Sequence, residues 1–333
     1  MNLVKLDANE NLLIPKQLTE ELMSKVVKEV DPRLYPSDDQ KLELVNKISN
    51  YLNIDKEKIV LGTGADQLID LIVTLFGNKG VTLLYPSFSS YFSACKLHNV
   101  PLTTIVFNRD FSVSGDNIFN SIKDSSLFIL CRPNNPTGNS IDEDVVLEIA
   151  KNFNGIIAID EVYGEFSDSQ LYYLPNEFKN IIVLKSFSKS FGAAGLRIGY
   201  LIANESLVET INKYQFLYPV TNFSLKYASY LLDNLKTFKK YWQELKEVRS
   251  WFFNELSNIN SIEVIPSQTN FVSFLTNIED FKNRMLLKGY IVREFDGIFG
   301  YKKLIRVTLA NLGIMKEVSD TIRKIVAEGE KND

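Results

Sequence analysis

Three features of the sequence predict an α/β architecture in which a mostly parallel seven-stranded sheet forms a large domain and a smaller α+β domain follows. Seven short apolar runs bounded by turn residues recur through the first two thirds of the chain. Several are apolar without alternation, as strands are when both faces of a parallel sheet are covered by helices. Helical patterns lie between them, and beyond Asn222 the texture changes to one long amphipathic helix and then a shorter mixture of strands and helices.

Taken in order, the strand candidates are residues 58–61, 81–85, 102–107, 127–131, 156–159, 181–184 and 198–202. Helical patterns fill the gaps at 65–76, 87–97, 142–153 and 205–217, so strand and helix alternate and ligands are expected at the carboxyl ends of the strands. Leu235, Phe238, Trp242, Leu245, Val248, Phe252 and Leu256 then recur at spacings of three and four, the stripe of an amphipathic helix bridging to the second domain. Strands at 262–265, 270–275, 290–293 and 304–309 and helices near 278–288 and 315–326 make up that domain. Leu18, Leu22, Val26 and Val27 form one helical face expected to pack beside it. The expected division is 30–245 for the large domain and 1–29 plus 246–333 for the small one.

A chain of 333 residues suits about two domains. With 45% hydrophobic and 23% charged residues it reads as a folded globular protein rather than a disordered one. Lys and Arg number 37 against 41 Asp and Glu, a net charge of −4, which leaves no global positive field to hold nucleic acid. Met1 to Asp7 lacks the apolar core of a signal peptide, and no stretch approaches the roughly 18 apolar residues of a membrane span, so no membrane partner is expected. Cys95 and Cys131 lie far apart with no CxxC spacing, which indicates neither a disulfide framework nor a zinc site and fits the cytoplasm. The single histidine, His98, closes an apparent helix and is expected at the surface or as a cap. A His-dependent triad or multi-histidine metal centre is thereby excluded, so acid–base work falls to Lys, Tyr, Asp or Glu.

The candidate chemistry gathers at strand ends. Lys189, in Ser186-Phe187-Ser188-Lys189, follows a buried strand among hydroxyls and small residues, where an amine with a lowered pKa can reach a carbonyl. Asp160 ends an apolar strand three residues before Tyr163, and a carboxylate so placed needs a cationic partner. Asn135 lies in the turn Asn134-Asn135-Pro136-Thr137-Gly138, which offers an amide to a ligand oxygen. In Leu61-Gly62-Thr63-Gly64-Ala65-Asp66, small residues leave helix N-terminal amides open to a phosphate, for which Arg197 supplies a fixed cation. Singly, these are a loop lysine, a buried acid and two ordinary turns. Together they are the set that pyridoxal 5′-phosphate requires.

In the same order and over nearly the whole chain, these segments resemble those of the fold-type I, aspartate-aminotransferase-like pyridoxal-phosphate enzymes. The resemblance implies that Lys189 carries the cofactor, that Asp160 partners its pyridine nitrogen, and that Tyr163 and Asn135 bind its phenolic oxygen. It further implies a phosphate cup of Gly64, Ala65, Asp66 (through its backbone amide), Ser186 and Arg197, with Phe88 stacking on the ring.

Within that group the chain is most similar to histidinol-phosphate aminotransferases. Leu6-Asp7-Ala8-Asn9-Glu10-Asn11 resembles their N-terminal motif, and Arg33-Leu34-Tyr35-Pro36 the segment whose tyrosine reaches the neighbouring subunit's cofactor phosphate. Leu304-Ile305-Arg306-Val307-Thr308 resembles the strand whose arginine clamps the substrate carboxylate, and Arg293 matches an arginine used at the substrate phosphate. The implied protein is a homodimeric transaminase of histidine biosynthesis that takes an amino-acid-like donor and 2-oxoglutarate, with Arg306, Arg293 and Asn135 on the substrate.

Two segments depart from the family pattern. Leu12-Leu13-Ile14 stands where Pro-Tyr-Gly usually follows, and Leu309-Ala310-Asn311 where Gly-Thr usually does. Threonine-phosphate decarboxylase and an aromatic or broad-specificity aminotransferase therefore stand as alternatives. A non-enzymatic cofactor-binding module would carry an added DNA-binding segment or lack Lys189.

Overall fold

The computed structural model describes residues 3–329. Met1 and Asn2 of the N-terminal reading and the last four positions of the expected small domain lie outside them.

In chain order the elements are β1 (Val4–Leu6), α1 (Lys16–Glu29), α2 (Asp38–Leu52), β2 (Ile59–Gly62), α3 (Gly64–Phe76), β3 (Val81–Tyr85), α4 (Ser89–Leu97), β4 (Leu102–Val106), α5 (Gly115–Ile122) and β5 (Leu127–Cys131). There follow α6 (Glu143–Asn152), β6 (Ile156–Asp160), β7 (Ile181–Ser186), β8 (Gly199–Ala203), α7 (Glu205–Tyr214), α8 (Asn222–Asp233) and α9 (Leu235–Ser257). The chain closes with β9 (Ile262–Ile265), β10 (Phe271–Thr276), α10 (Phe281–Leu287), β11 (Tyr290–Asp296), β12 (Lys303–Thr308) and α11 (Leu312–Gly329).

The larger sheet has seven strands in the order β2-β8-β7-β6-β5-β3-β4, in which β8 runs antiparallel to both neighbours while β4, β3, β5, β6 and β7 pair in parallel. The unbroken apolar runs have a direct cause. Leu127, Ile129 and Cys131 point into a core shared with α3, α4 and α7, whereas Phe128 and Leu130 point into one shared with α5 and α6. Successive residues alternate between two buried faces, so hydrophobicity does not alternate.

The smaller sheet runs β1-β11-β12-β10-β9, antiparallel except where β1 lies parallel to β11. A third core joins the two sheets. In it α9 buries Phe238, Trp242, Leu245, Val248, Phe252 and Leu256, the stripe expected from the sequence, against residues such as Phe187 and Phe191 that flank Lys189. Arg249 is buried on the same helix and donates to the carbonyls of Phe166 and Thr269, which satisfies its charge without a carboxylate.

Four elements had no sequence expectation: β1, α2, α5 and α8. The second carries a start signal, since Ser37 and Gln40 form a reciprocal capping box. The N-terminal helical face needs correction. Leu22 and Val26 are buried, but Val27 is 60% exposed, and α1 packs on α8; it is β1 that joins the small sheet. Val26 and Val27 lie about 100° apart on a helix, and only one of them can face the core. His98 is the C-cap of α4, with its ring on Asp70 and Thr74.

Candidate active site

The carboxyl ends of β3, β5, β6 and β7 open onto one cavity of about 690 Å³. Eleven of the residues expected at a site line it: Ala65, Asp66, Phe88, Asn135, Asp160, Tyr163, Ser186, Lys189, Arg197, Arg293 and Arg306. Gly64 lies immediately behind, where an added Cβ would stand 2.7 Å from Arg197 Nη2. Tyr35 does not line the cavity; it is 76% exposed and stacks on Tyr218 at 4.4 Å.

Sheet register explains the convergence. Cys131 pairs with Asp160, and Ser186 and Gly62 both pair with Gly199, so the ends of four strands come into line. Gly64 begins α3 with a φ of +71°, a conformation that costs a residue with a Cβ about 1–2 kcal/mol, and at a helix N-terminus whose amides favour an anion. Asp66 spends its carboxylate on Arg197 Nη2 (2.6 Å) and Ser90 Oγ (2.8 Å), leaving its backbone amide as the group open to a phosphate.

Lys189 Nζ donates to the Ala8 carbonyl at 2.9 Å. Burial, assisted by the nearby Arg306 charge, lowers its pKa to about 8. Asp160 is fully enclosed and its pKa is raised by burial to about 6, against the opposing effect of donors from Tyr91 (2.6 Å) and the Val162 amide (3.1 Å). Tyr163 accepts from Asn9 Nδ2 at 2.9 Å, and Asn9, held at φ +55°, is fixed in turn by two bonds to Thr308 Oγ1 and one from Asn270. Tyr163 is itself pushed above the ordinary phenol range by burial. Arg306 donates to Asn135 Oδ1 (2.5 Å) and the Asp7 carbonyl (2.6 Å). Its Nε is buried with no protein partner, and burial lowers its pKa to about 10.

Asn9 and Tyr91 are the site residues that sequence reasoning missed. Asn9 lay inside a recognised motif and Tyr91 inside the helical pattern at 87–97, each with no role given to it. The two departing segments stay out of the cavity. Leu13 and Ile14 are buried in the core, with Ile14 against Gly192 of the lysine loop, and Asn311 caps α11 through the Ile314 amide.

This donor set fits pyridoxal 5′-phosphate. A buried acid stands ready for a cationic ring nitrogen, an amine of lowered pKa shares its cavity, and a glycine cradle beside a guanidinium suits the phosphate. The space matches that of a cofactor with a small substrate.

Comparison with known proteins agrees. The family model for class I and II aminotransferases matches residues 1–318. A histidinol-phosphate aminotransferase of Ruminiclostridium cellulolyticum is 32% identical over 315 residues, spanning 92% of this chain and 88% of that protein. The solved histidinol-phosphate aminotransferase of Clostridium acetobutylicum shares the fold with a TM-score of 0.89 at 22% identity, covering 98% of this chain and all of that one. That of Sinorhizobium meliloti, solved in complex with pyridoxal 5′-phosphate, gives 0.88 at 19% identity over 98% and 92%. With a family match over almost its whole length and a relative above 30% identity, the chain belongs to the class I and II aminotransferases, enzymes that work through pyridoxal 5′-phosphate.

Proposed function

We propose that this aminotransferase exchanges the amino group of histidinol phosphate for the oxo group of 2-oxoglutarate, giving imidazole acetol phosphate and glutamate. The observation that carries the donor's identity is a pair of cross-strand arginines. Arg293 and Arg306 are register partners on β11 and β12, both line the cavity, and both guanidinium groups lie over the Phe295 ring, at 5.7 and 5.4 Å. One guanidinium held by Asn135 and the Asp7 carbonyl, with a second stacked on the same ring, suits a phosphate dianion, which carries more charge and more acceptors than a carboxylate. The names of the related proteins support the same donor.

In this reading Lys189, Asp160, Tyr163, Asn135, Ser186, Arg197, Phe88 and the Gly64–Asp66 turn hold the cofactor. Pyridoxal 5′-phosphate supplies a conjugated, electron-accepting ring that lowers the barrier to removing the substrate's α-proton. The protein does the rest. A pKa near 8 leaves an appreciable share of Lys189 Nζ neutral at physiological pH, able to bond a carbonyl carbon and to take up and return the α-proton. Asp160 remains an anion beside the ring nitrogen, and Tyr163 and Asn135 hold the phenolic oxygen. Arg306 orients the donor's phosphate and then the acceptor's carboxylate with the same guanidinium.

We also read the chain as a homodimer working in the cytoplasm, divided at 30–245 and 1–29 plus 246–333, in which Tyr35 serves the neighbouring site. Support for the dimer comes from the exposed apolar side chains of Leu34, Tyr35, Phe216 and Leu217 beside the Tyr35–Tyr218 stack. Complementation tests this arrangement: mixed Lys189→Ala and Tyr35→Ala proteins regain activity through one intact site per mixed dimer, and no recovery overturns it. The donor is tested by offering histidinol phosphate, phenylalanine, tyrosine or aspartate with 2-oxoglutarate and following glutamate. A strong preference for histidinol phosphate is expected. Preference for an unphosphorylated donor, or release of carbon dioxide from threonine phosphate, overturns the assignment.

A further inference from the structure

Tyr91 lies on α4, three residues after Phe88, with its side chain entirely buried. Its hydroxyl donates to Asp160 Oδ2 at 2.6 Å while the Val162 amide donates to Oδ1 at 3.1 Å, so each carboxylate oxygen has one fixed donor. Its ring meets Phe88 edge-on, with centroids 5.6 Å apart and planes at 86°. One residue thus braces the acid expected at the cofactor's ring nitrogen and the aromatic expected on its face. Cys131, Asp66, Lys185 and Tyr163 also act electrostatically with this carboxylate; of these, Asp66 opposes its ionisation and Lys185 favours it.

We infer that Tyr91 is a positioning residue for transamination: its hydroxyl aims and holds the Asp160 carboxylate as acceptor for the pyridine N–H, and its ring backs Phe88. The inference rests on the reading of Asp160 given above. A buried carboxylate that loses one of two donors binds a proton more tightly and is free to turn, and both changes weaken its hold on a cationic ring nitrogen. Burial already presses Asp160 towards its neutral form, so the donor matters more here than at a solvated acid.

The test is Tyr91→Phe, which removes one oxygen and keeps the ring, compared with wild type and Asp160→Asn. The readouts are the thermal midpoint of the cofactor-free protein, the steady-state kcat and KM, and the 15N shift of ring-labelled cofactor on the protein, which separates protonated from neutral nitrogen. Tyr91→Phe should fold, move the 15N signal towards the neutral form in the direction taken by Asp160→Asn, and lower kcat roughly tenfold to a hundredfold with KM little changed. An unmoved 15N signal and unchanged kcat overturn the inference, as does a Tyr91→Phe protein that fails to fold without cofactor. If Asp160→Asn also leaves the 15N signal unmoved, the assignment of Asp160 itself falls.

Discussion

Replacing Asp160 with Asn should make the cofactor-free protein more stable while abolishing amino transfer. The wild-type carboxyl is fully buried, and its pKa stands at about 6 against an ordinary 3.8. At roughly 1.4 kcal/mol per tenfold change in proton affinity, keeping it ionised at neutral pH costs the fold about 3 kcal/mol. Asparagine has the same shape and no charge. Its oxygen can still accept the Tyr91 hydroxyl, but its amide then faces the Val162 N–H that Oδ1 now accepts, returning about 1–2 kcal/mol of the gain. The net expectation is a variant more stable by about 1–2 kcal/mol at pH 7.5.

The pH dependence has a definite sign. A carboxyl whose folded pKa is raised contributes stability that is complete below about 3.8 and lost as the pH climbs through about 6, so the variant's advantage is present above 6 and shrinks towards pH 4. Urea unfolding of both cofactor-free proteins at pH 7.5 and pH 5, followed by tyrosine and tryptophan fluorescence, measures it. A wild type at least as stable at pH 7.5, or a difference equal at the two pH values, would refute the reasoning. Such an exchange of stability for function is common at sites that hold a buried charge ready for a ligand.

Further outcomes follow from neighbouring residues. The rate at which cofactor-free protein covalently takes up pyridoxal 5′-phosphate, followed by absorbance, should rise with pH through about 8, because only neutral Lys189 Nζ is nucleophilic. A rate flat across that range contradicts the assignment. Gly64→Ala should cost about 1–2 kcal/mol, since φ is +71° and the new methyl meets Arg197, and cofactor Kd measured by titration should weaken about tenfold. Arg306→Lys cannot span Asn135, Asp7 and a ligand anion with one ammonium; kcat/KM should drop on the order of a hundredfold for donor and acceptor alike. Loss confined to one of the two would show that the guanidinium serves only one.

Much of the fold was legible because the inner strands β5, β6, β7 and β8 are buried on both faces, a condition that writes itself into local composition. The lysine loop, the acid ending β6 and the turn before α3 were legible for a related reason: each sits at a strand end, and their order along the chain is that of the family. A very short strand, and a helix that buries Asn222, Ser224 and Ser229 along with its apolar residues, left weaker traces. The three residues of β1 become a strand only by pairing with β11, and α8 is settled by helices α1 and α2 lying against it. Val27 was misjudged because a loose apolar cluster does not specify which residue faces inward.

The amino-acid sequence by itself determined the α/β class, the stripe of α9 and the identity of the groups that meet at the cavity, since period, polarity and residue chemistry are local properties. Only the tertiary structure decided how those groups are held. Tyr91 reaches Asp160 across 69 positions of sequence, Asn9 reaches Tyr163 across 154 and Arg306 reaches Asn135 across 171. Hydrogen bonds of that kind depend on the register of two sheets and the helix between them, and no pattern within a single segment encodes them.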